Sequence, residues 1–116
     1  MIDLQTKTKY RIKYTSDFKK NYKKIKKQGK DVEKLKVVVS KLADGLELEE
    51  KYKNHMLTDS KYYKNCGECH IEPDWLLVYQ YIDNELILVL VLLVVIQNCF
   101  NNLNWNNLSV IISFFM

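Results

Sequence analysis

The sequence predicts an α+β fold in which an N-terminal strand and a helical hairpin pack on an antiparallel β-sheet. Three observations carry that reading: one segment alternates apolar and basic residues, two successive stretches repeat apolar residues at helical spacing, and several short strand-like runs follow. Tyr10-Arg-Ile-Lys-Tyr14 is the alternating segment, the pattern of a half-buried strand. Thr15 or Ser16 can cap a first helix whose Phe18, Tyr22 and Ile25 form an inner stripe, with Gly29 as its end. Asp31 opens a second helix through Val32, Leu35, Val39 and Leu42, and Gly45 supplies its stop. Lys19, Lys20, Lys23, Lys24, Lys26 and Lys27 fall largely outside the first stripe. Each helix is apolar on one face, so both need a sheet to cover that face. Strands are expected at about 62–71, 75–82 and 85–91, with Asp83-Asn84 as a two-residue hairpin turn because both residues tolerate positive φ.

Length and charge narrow the function classes. A chain of 116 residues suits one domain with one modest core. All 18 Lys and Arg lie at or before Lys64, so residues 1–64 carry a formal +9 and residues 65–116 carry −5. A basic half-domain needs either an anionic partner or a solvated surface, and nucleic acid is the economical partner because phosphates reward Lys and Arg irrespective of sequence. The N-terminus has no apolar stretch after a basic start, which points to a cytoplasmic protein. Three cysteines, an odd number, then read as reduced thiols. Leu86 to Ile96 is an apolar run of 11 residues, well short of the ~20 a membrane-spanning helix needs, so a buried strand and no membrane partner are expected.

The richest segment is His70-Ile-Glu-Pro-Asp-Trp75. Pro73 cannot donate to a ladder and biases Glu72 towards extended geometry, so a turn here sets where His70, Asp74 and Trp75 project. A turn that gathers titratable groups is a candidate active site. Tyr52-Lys-Asn-His55-Met-Leu57 and Glu68-Cys-His-Ile-Glu-Pro-Asp-Trp-Leu-Leu-Val-Tyr79 together resemble the YafQ branch of the RelE/ParE toxins, ribosome-dependent mRNA endonucleases of type II toxin–antitoxin pairs. Phe18-Lys-Lys20, Leu35, Leu42 and the Leu46-to-Leu48 loop agree with it, and the resemblance runs from about residue 8 to residue 91.

The resemblance implies a RelE-like architecture and no cofactor or metal. As partners it implies a cognate antitoxin, mRNA in the ribosomal A site and ribosomal RNA, with operator DNA reached only through the antitoxin. It marks His55, His70 and Asp74 as catalytic. Metal-free RNA cleavage needs a base for the 2′-hydroxyl proton, an acid for the leaving 5′-oxygen and positive groups on the phosphate. Either histidine suits acid or base work near neutral pH, whereas Asp74 suits orienting a histidine or accepting a proton. Lys53, Lys61 and Lys64 are candidates to hold the RNA backbone and Trp75 to stack a base, although a Trp at a strand start is more commonly core.

After Val91 the resemblance stops, which divides the chain into a toxin-like domain at residues 1–91 and an aberrant tail at residues 92–116. No charged residue follows Glu85, and six of the ten residues from Asn98 to Asn107 are Asn. The family closes its last strand with a segment like Arg-Thr-Gly-Ser-His-Ser-Glu-Leu-Phe, whereas this chain has Leu92-Leu-Val-Val-Ile-Gln-Asn-Cys-Phe100. Encoded ACT GGT AGT CAT TCA GAA CTG TTT and read one base later, the family's ending gives Leu-Val-Val-Ile-Gln-Asn-Cys, the residues from Leu93 to Cys99. A shifted coding frame near codon 92 is therefore expected, with Ile96 where the family's last His stands. Loss of that His and of the Arg predicts a weak or inactive nuclease. The competing reading is a non-catalytic antitoxin-binding module acting as decoy or co-repressor. The gyrase-poisoning ParE branch is disfavoured because its members generally lack the histidine pair.

Two further motifs compete for the same residues. Cys66-Gly-Glu-Cys-His70 matches the c-type haem attachment pattern, and Cys66, Cys69, His55 and His70 have donor types that suit tetrahedral zinc. Haem attachment calls for export, the second zinc pair is not closely spaced, and the toxin-like motif already absorbs Cys69 and His70.

Overall fold

In the computed structural model, which describes residues 7–57, 63 and 65–96, Thr15 ends the first strand and starts the first helix. Its extended backbone and its Oγ1, which accepts from the Phe18 N–H at 3.0 Å, cap α1 (Ser16–Lys27) directly after β1 (Arg11–Tyr14). Asp31 does the same for α2 (Val32–Ala43) by accepting from Glu33 N–H. Gly29 and Gly45, both at positive φ, stop the two helices where the sequence places the stops.

The strands β2 (His55–Met56), β3 (Cys66–Glu72), β4 (Trp75–Ile82) and β5 (Ile87–Val95) follow, giving a five-stranded sheet in the order β1-β5-β4-β3-β2. Pairing is antiparallel throughout except between β1 and β5, which run parallel with Arg11 beside Ile87 and Tyr14 beside Leu90. Both helices cover one sheet face. Phe18, Tyr22 and Ile25 of α1 and Leu35, Val38, Val39 and Leu42 of α2 pack with Cys69, Ile71, Trp75, Leu77, Tyr79, Leu88, Leu90 and Leu93. Burying each such large apolar side chain stabilises the fold by about 1.5–3 kcal/mol.

β1 is shorter than β5, and α1 completes the exposed edge. Tyr14 pairs no further than Leu90, and beyond it Thr15 Oγ1 donates to the Val91 carbonyl at 2.6 Å while Asn21 Oδ1 accepts from Leu93 N–H at 3.2 Å. Val91 is also where the register between β4 and β5 slips, from Val78 beside Leu92 to Tyr79 beside Leu90. A bulge leaves a carbonyl without its ladder partner, and the capping threonine supplies one.

Three local expectations differ from the structure. β3 starts at Cys66 and not near residue 62, because Asn65 sits at φ 62° and breaks extended geometry. The connection after β4 is a 3-10 turn at Asp83–Glu85 followed by Leu86 at φ 53°, so β5 starts at Ile87. Asp83 is tied down there by the Tyr10 hydroxyl, which donates to its Oδ1 at 2.9 Å. Finally, β5 runs past residue 91: Leu92, Leu93, Val94 and Val95 pair with Val78, Leu77, Leu76 and Trp75. Residues 97–116 of the expected tail lie outside the described residues. Among the described residues no helix is long and apolar enough to cross a membrane.

Candidate active site

The alternation of β3 decides what faces what. Cys69 and Ile71 point into the helix-covered core, whereas Cys66 belongs to a second cluster with Leu57, Tyr63, Val78 and Leu92 on the other face. Glu68 and His70 share the parity of Cys66, and His55 on β2 stands directly opposite Glu68. Two histidines fifteen positions apart in sequence are thus brought to one sheet face by one short antiparallel pair. The same alternation puts Cys66 and Cys69 on opposite faces, so the Cys-x-x-Cys-His pattern does not present two thiols to one group. Burial pushes both thiols up, away from thiolate character.

The two imidazoles are oriented in the same way. His70, 6% exposed, has Nδ1 at 3.2 Å from the Pro73 carbonyl, and His55 has Nδ1 at 2.9 Å from the Lys53 carbonyl. A carbonyl only accepts, so each Nδ1 carries a hydrogen. Lys53 can aim its carbonyl this way because its backbone is left-handed, with φ 48°. Burial holds the His70 pKa below the usual imidazole value against the opposing pull of the Pro73 carbonyl, and the positive charges of Lys53 and His55 add to the lowering.

Glu68 was not expected as a site residue. It is 0% exposed, neither carboxyl oxygen has a hydrogen-bond partner among the described residues, and its Oε1 lies 3.7 Å from His55 Nε2. Burial pushes its pKa to about 8, so near neutral pH it is predominantly a protonated acid. The sequence signal was the Glu-x-His spacing, which on a strand puts both side chains on one face.

Asn54, between Lys53 and His55, is held from the opposite face. The Tyr79 hydroxyl donates to Asn54 Oδ1, and to reach it the Tyr79 ring lies across β3 over Gly67, its pairing partner. A Cβ at Gly67 would overlap that ring. Gly67→Ala is accordingly expected to destabilise the fold by about 1–3 kcal/mol through overpacking, whereas Tyr79→Phe, which keeps the ring and loses one hydrogen bond, costs about 1 kcal/mol. Urea denaturation of the two variants checks the order; equal effects would mean the ring does not need the glycine.

The other expected site residues separate. Asp74 Oδ1 lies 3.8 Å from Lys30 Nζ, which also pairs with Glu72 at 3.1 Å. The orienting bond on His70 comes from the Pro73 carbonyl, a role the sequence had offered to Asp74. Trp75 is corrected as a stacking platform: it is 0% exposed in the helix-side core, because the first residue of β4 shares the face of Leu77 and Tyr79, and Lys30 caps its ring at 5.8 Å. Lys53 is exposed beside the histidines, and Lys61 and Lys64 lie outside the described residues.

Comparison with known proteins gives one consistent neighbourhood. Residues 10–93 match the family described as "Bacterial toxin of type II toxin-antitoxin system, YafQ". The mRNA interferase toxin YafQ of Escherichia coli strain B / BL21-DE3 is 38% identical over 76 residues, spanning 65% of this chain and 80% of that protein. The crystal structure of the E. coli DinJ-YafQ complex superposes with TM-score 0.66 at 33% identity, over 74% of this chain and 92% of the other. A metal-bound toxin from Helicobacter pylori superposes with TM-score 0.69 at 40% identity, over 74% and 93%.

Proposed function

The chain belongs to the YafQ family of bacterial type II toxin–antitoxin toxins, and from that premise we propose that its site cleaves single-stranded mRNA at a low rate. The observation that carries the reading is the cluster on one sheet face: Glu68, 0% exposed, has Oε1 3.7 Å from Nε2 of His55, its cross-strand partner, and lies two residues from His70 on the same strand. A neutral imidazole of lowered pKa and an acid with a pKa of about 8 form a base and acid whose working ranges overlap at physiological pH.

In this mechanism His70 Nε2 takes the proton of the 2′-hydroxyl as that oxygen bonds to phosphorus. The bond from phosphorus to the 5′-oxygen breaks, and the leaving oxygen receives its proton from the exposed His55, which the buried Glu68 carboxyl, 3.7 Å from its Nε2, reprotonates. The products are a 2′,3′-cyclic phosphate and a 5′-hydroxyl. Lys53 stabilises charge on the non-bridging oxygens. Asp74, paired with Lys30, keeps the turn after β3 in place.

The low rate follows from the end of β5. Ile96 is buried, and its N–H donates to the Asp74 carbonyl at 2.8 Å, so an apolar side chain occupies the position beside the turn where the resemblance implies a histidine. This observation also favours a second reading, a non-catalytic toxin-like module that retains the partner surface. In either case the exposed lysines of α1 form a face suited to an acidic antitoxin or to ribosomal RNA.

Growth arrest and cleavage of a translated mRNA are to be measured for this chain, for a version ending in the family's segment, and for that version with His70→Ala. Slow cleavage by the first, fast cleavage by the second and none above background by the third is expected. Cleavage unaffected by His70→Ala would refute the assignment.

A further inference from the structure

A cleft of about 480 Å³ opens where β3 runs past the two-residue β2. Lys34 and Val37 of α2 form one wall, Lys51, Tyr52 and Lys53 the second, and the chain from His70 to Pro73 the floor. We propose that this cleft is a nucleotide subsite, which takes the base next to the scissile phosphate of a single-stranded RNA. The inference rests on the nuclease reading above and extends it by placing part of the substrate.

Size and chemistry select the occupant. The volume falls in the range of about 300–1,000 Å³ typical of small-ligand sites, and the interior is mostly apolar, with Val37, Tyr52, Ile71 and Pro73 in its walls. Val37 is 48% exposed, an apolar side chain left uncovered at the mouth. Charge at the rim is positive. Glu72, the one acid, is already neutralised by Lys30 at 3.1 Å and Lys34 at 2.9 Å, which hold its pKa below the usual carboxylate value. Lys51 has Glu49 only at 3.8 Å, and Lys53 forms no ion pair among the described residues. An apolar slot with lysines at its mouth fits a flat base with its phosphate outside. An acidic helix from a protein partner would need an extended groove with anchors along several turns, whereas this is one compact concavity.

Position completes the argument. His70 lines the cleft, and Lys53 does so while its carbonyl orients His55. A base seated here keeps its neighbouring phosphate beside both imidazoles. Lys53 then acts twice, by its backbone on the histidine and by its ammonium on the phosphate.

The test uses the full chain and a fluorescent RNA hexamer with 2′-O-methyl sugars, which cannot be cleaved, beside the same hexamer with abasic central positions. The base-bearing probe is expected to bind about tenfold more tightly, the scale of one base contact. Val37→Gln, an uncharged change at an exposed position, should remove most of that advantage and leave abasic binding unchanged. Lys53→Ala should weaken both probes alike. Equal binding of the two probes overturns the subsite and leaves the nuclease reading standing; no binding of either probe overturns both. Val37→Gln acting on an acidic amphipathic peptide and not on RNA would also overturn the subsite and make the cleft a protein dock.

Discussion

Glu68→Gln is expected to make the protein more stable than its parent above pH 8 and equally stable near pH 4. In the unfolded chain the carboxyl ionises near its usual value of about 4.3, whereas in the folded protein burial holds it protonated up to about 8. A folded pKa raised in this way gives stability that is fully present below the unfolded value and is lost as pH rises through the window towards 8. The shift corresponds to roughly 3–5 kcal/mol at the alkaline end, a large part of a small domain's total stability. Glutamine keeps the shape and a comparable polarity but cannot ionise, so its difference from the parent should grow with pH. Denaturant unfolding at pH 5 and pH 9 gives the difference directly. A constant offset at both values would mean that Glu68 has a partner in solution. The same substitution removes the proposed proton source behind His55, so cleavage should fall by about 10²–10⁴-fold. The parent's rate should plateau between the lowered His70 pKa and about pH 8, because the base must be unprotonated and the acid protonated.

Replacing residues from 92 onward with the family's ending is expected to raise cleavage by about 10²–10⁴-fold, the usual worth of one proton-transfer group. The sheet register explains why so few residues matter. Ile96 already hangs from the Asp74 carbonyl, so a histidine there enters the turn that carries His70. Leu92 stands opposite Val78, and Val78 opposite Glu68, so one cross-strand row reaches from β5 to the buried acid. An arginine at position 92 would start two strand spacings from Glu68, about 10 Å, within the reach of its long side chain. It would therefore lower the Glu68 pKa as well as stabilise phosphate charge. Ile96→His alone should recover part of the rate without moving the alkaline limb of the profile, whereas adding Leu92→Arg should shift that limb down. A rate unchanged by the whole replacement would place the impairment elsewhere.

Sequencing the locus addresses the tail itself: a single-base insertion or deletion near codon 92 should restore the family's ending. Whatever its origin, Leu92 to Val95 is apolar and β-branched enough to complete β5, which is why the strand continues beyond the point where the resemblance stops.

The sequence by itself determined the order of β1, the two helices and the three long strands, the Asp31 cap, both helix stops and the apolar faces of the helices, since each depends on local periodicity or on one capping or stopping residue. It also determined the family, through the wording between Tyr52 and Tyr79. Only the tertiary structure decided that β1 lies parallel to β5, that His55–Met56 forms β2, that Thr15 and not Ser16 caps α1, that Trp75 is core and not a platform, that Asp74 pairs with Lys30, and that Glu68 is buried beside His55. Those outcomes depend on which strand pairs with which and in what register. A one-residue difference in parity separates Glu68 from Cys69 across the whole thickness of the sheet, and no pattern within the segment states which of the two faces the helices.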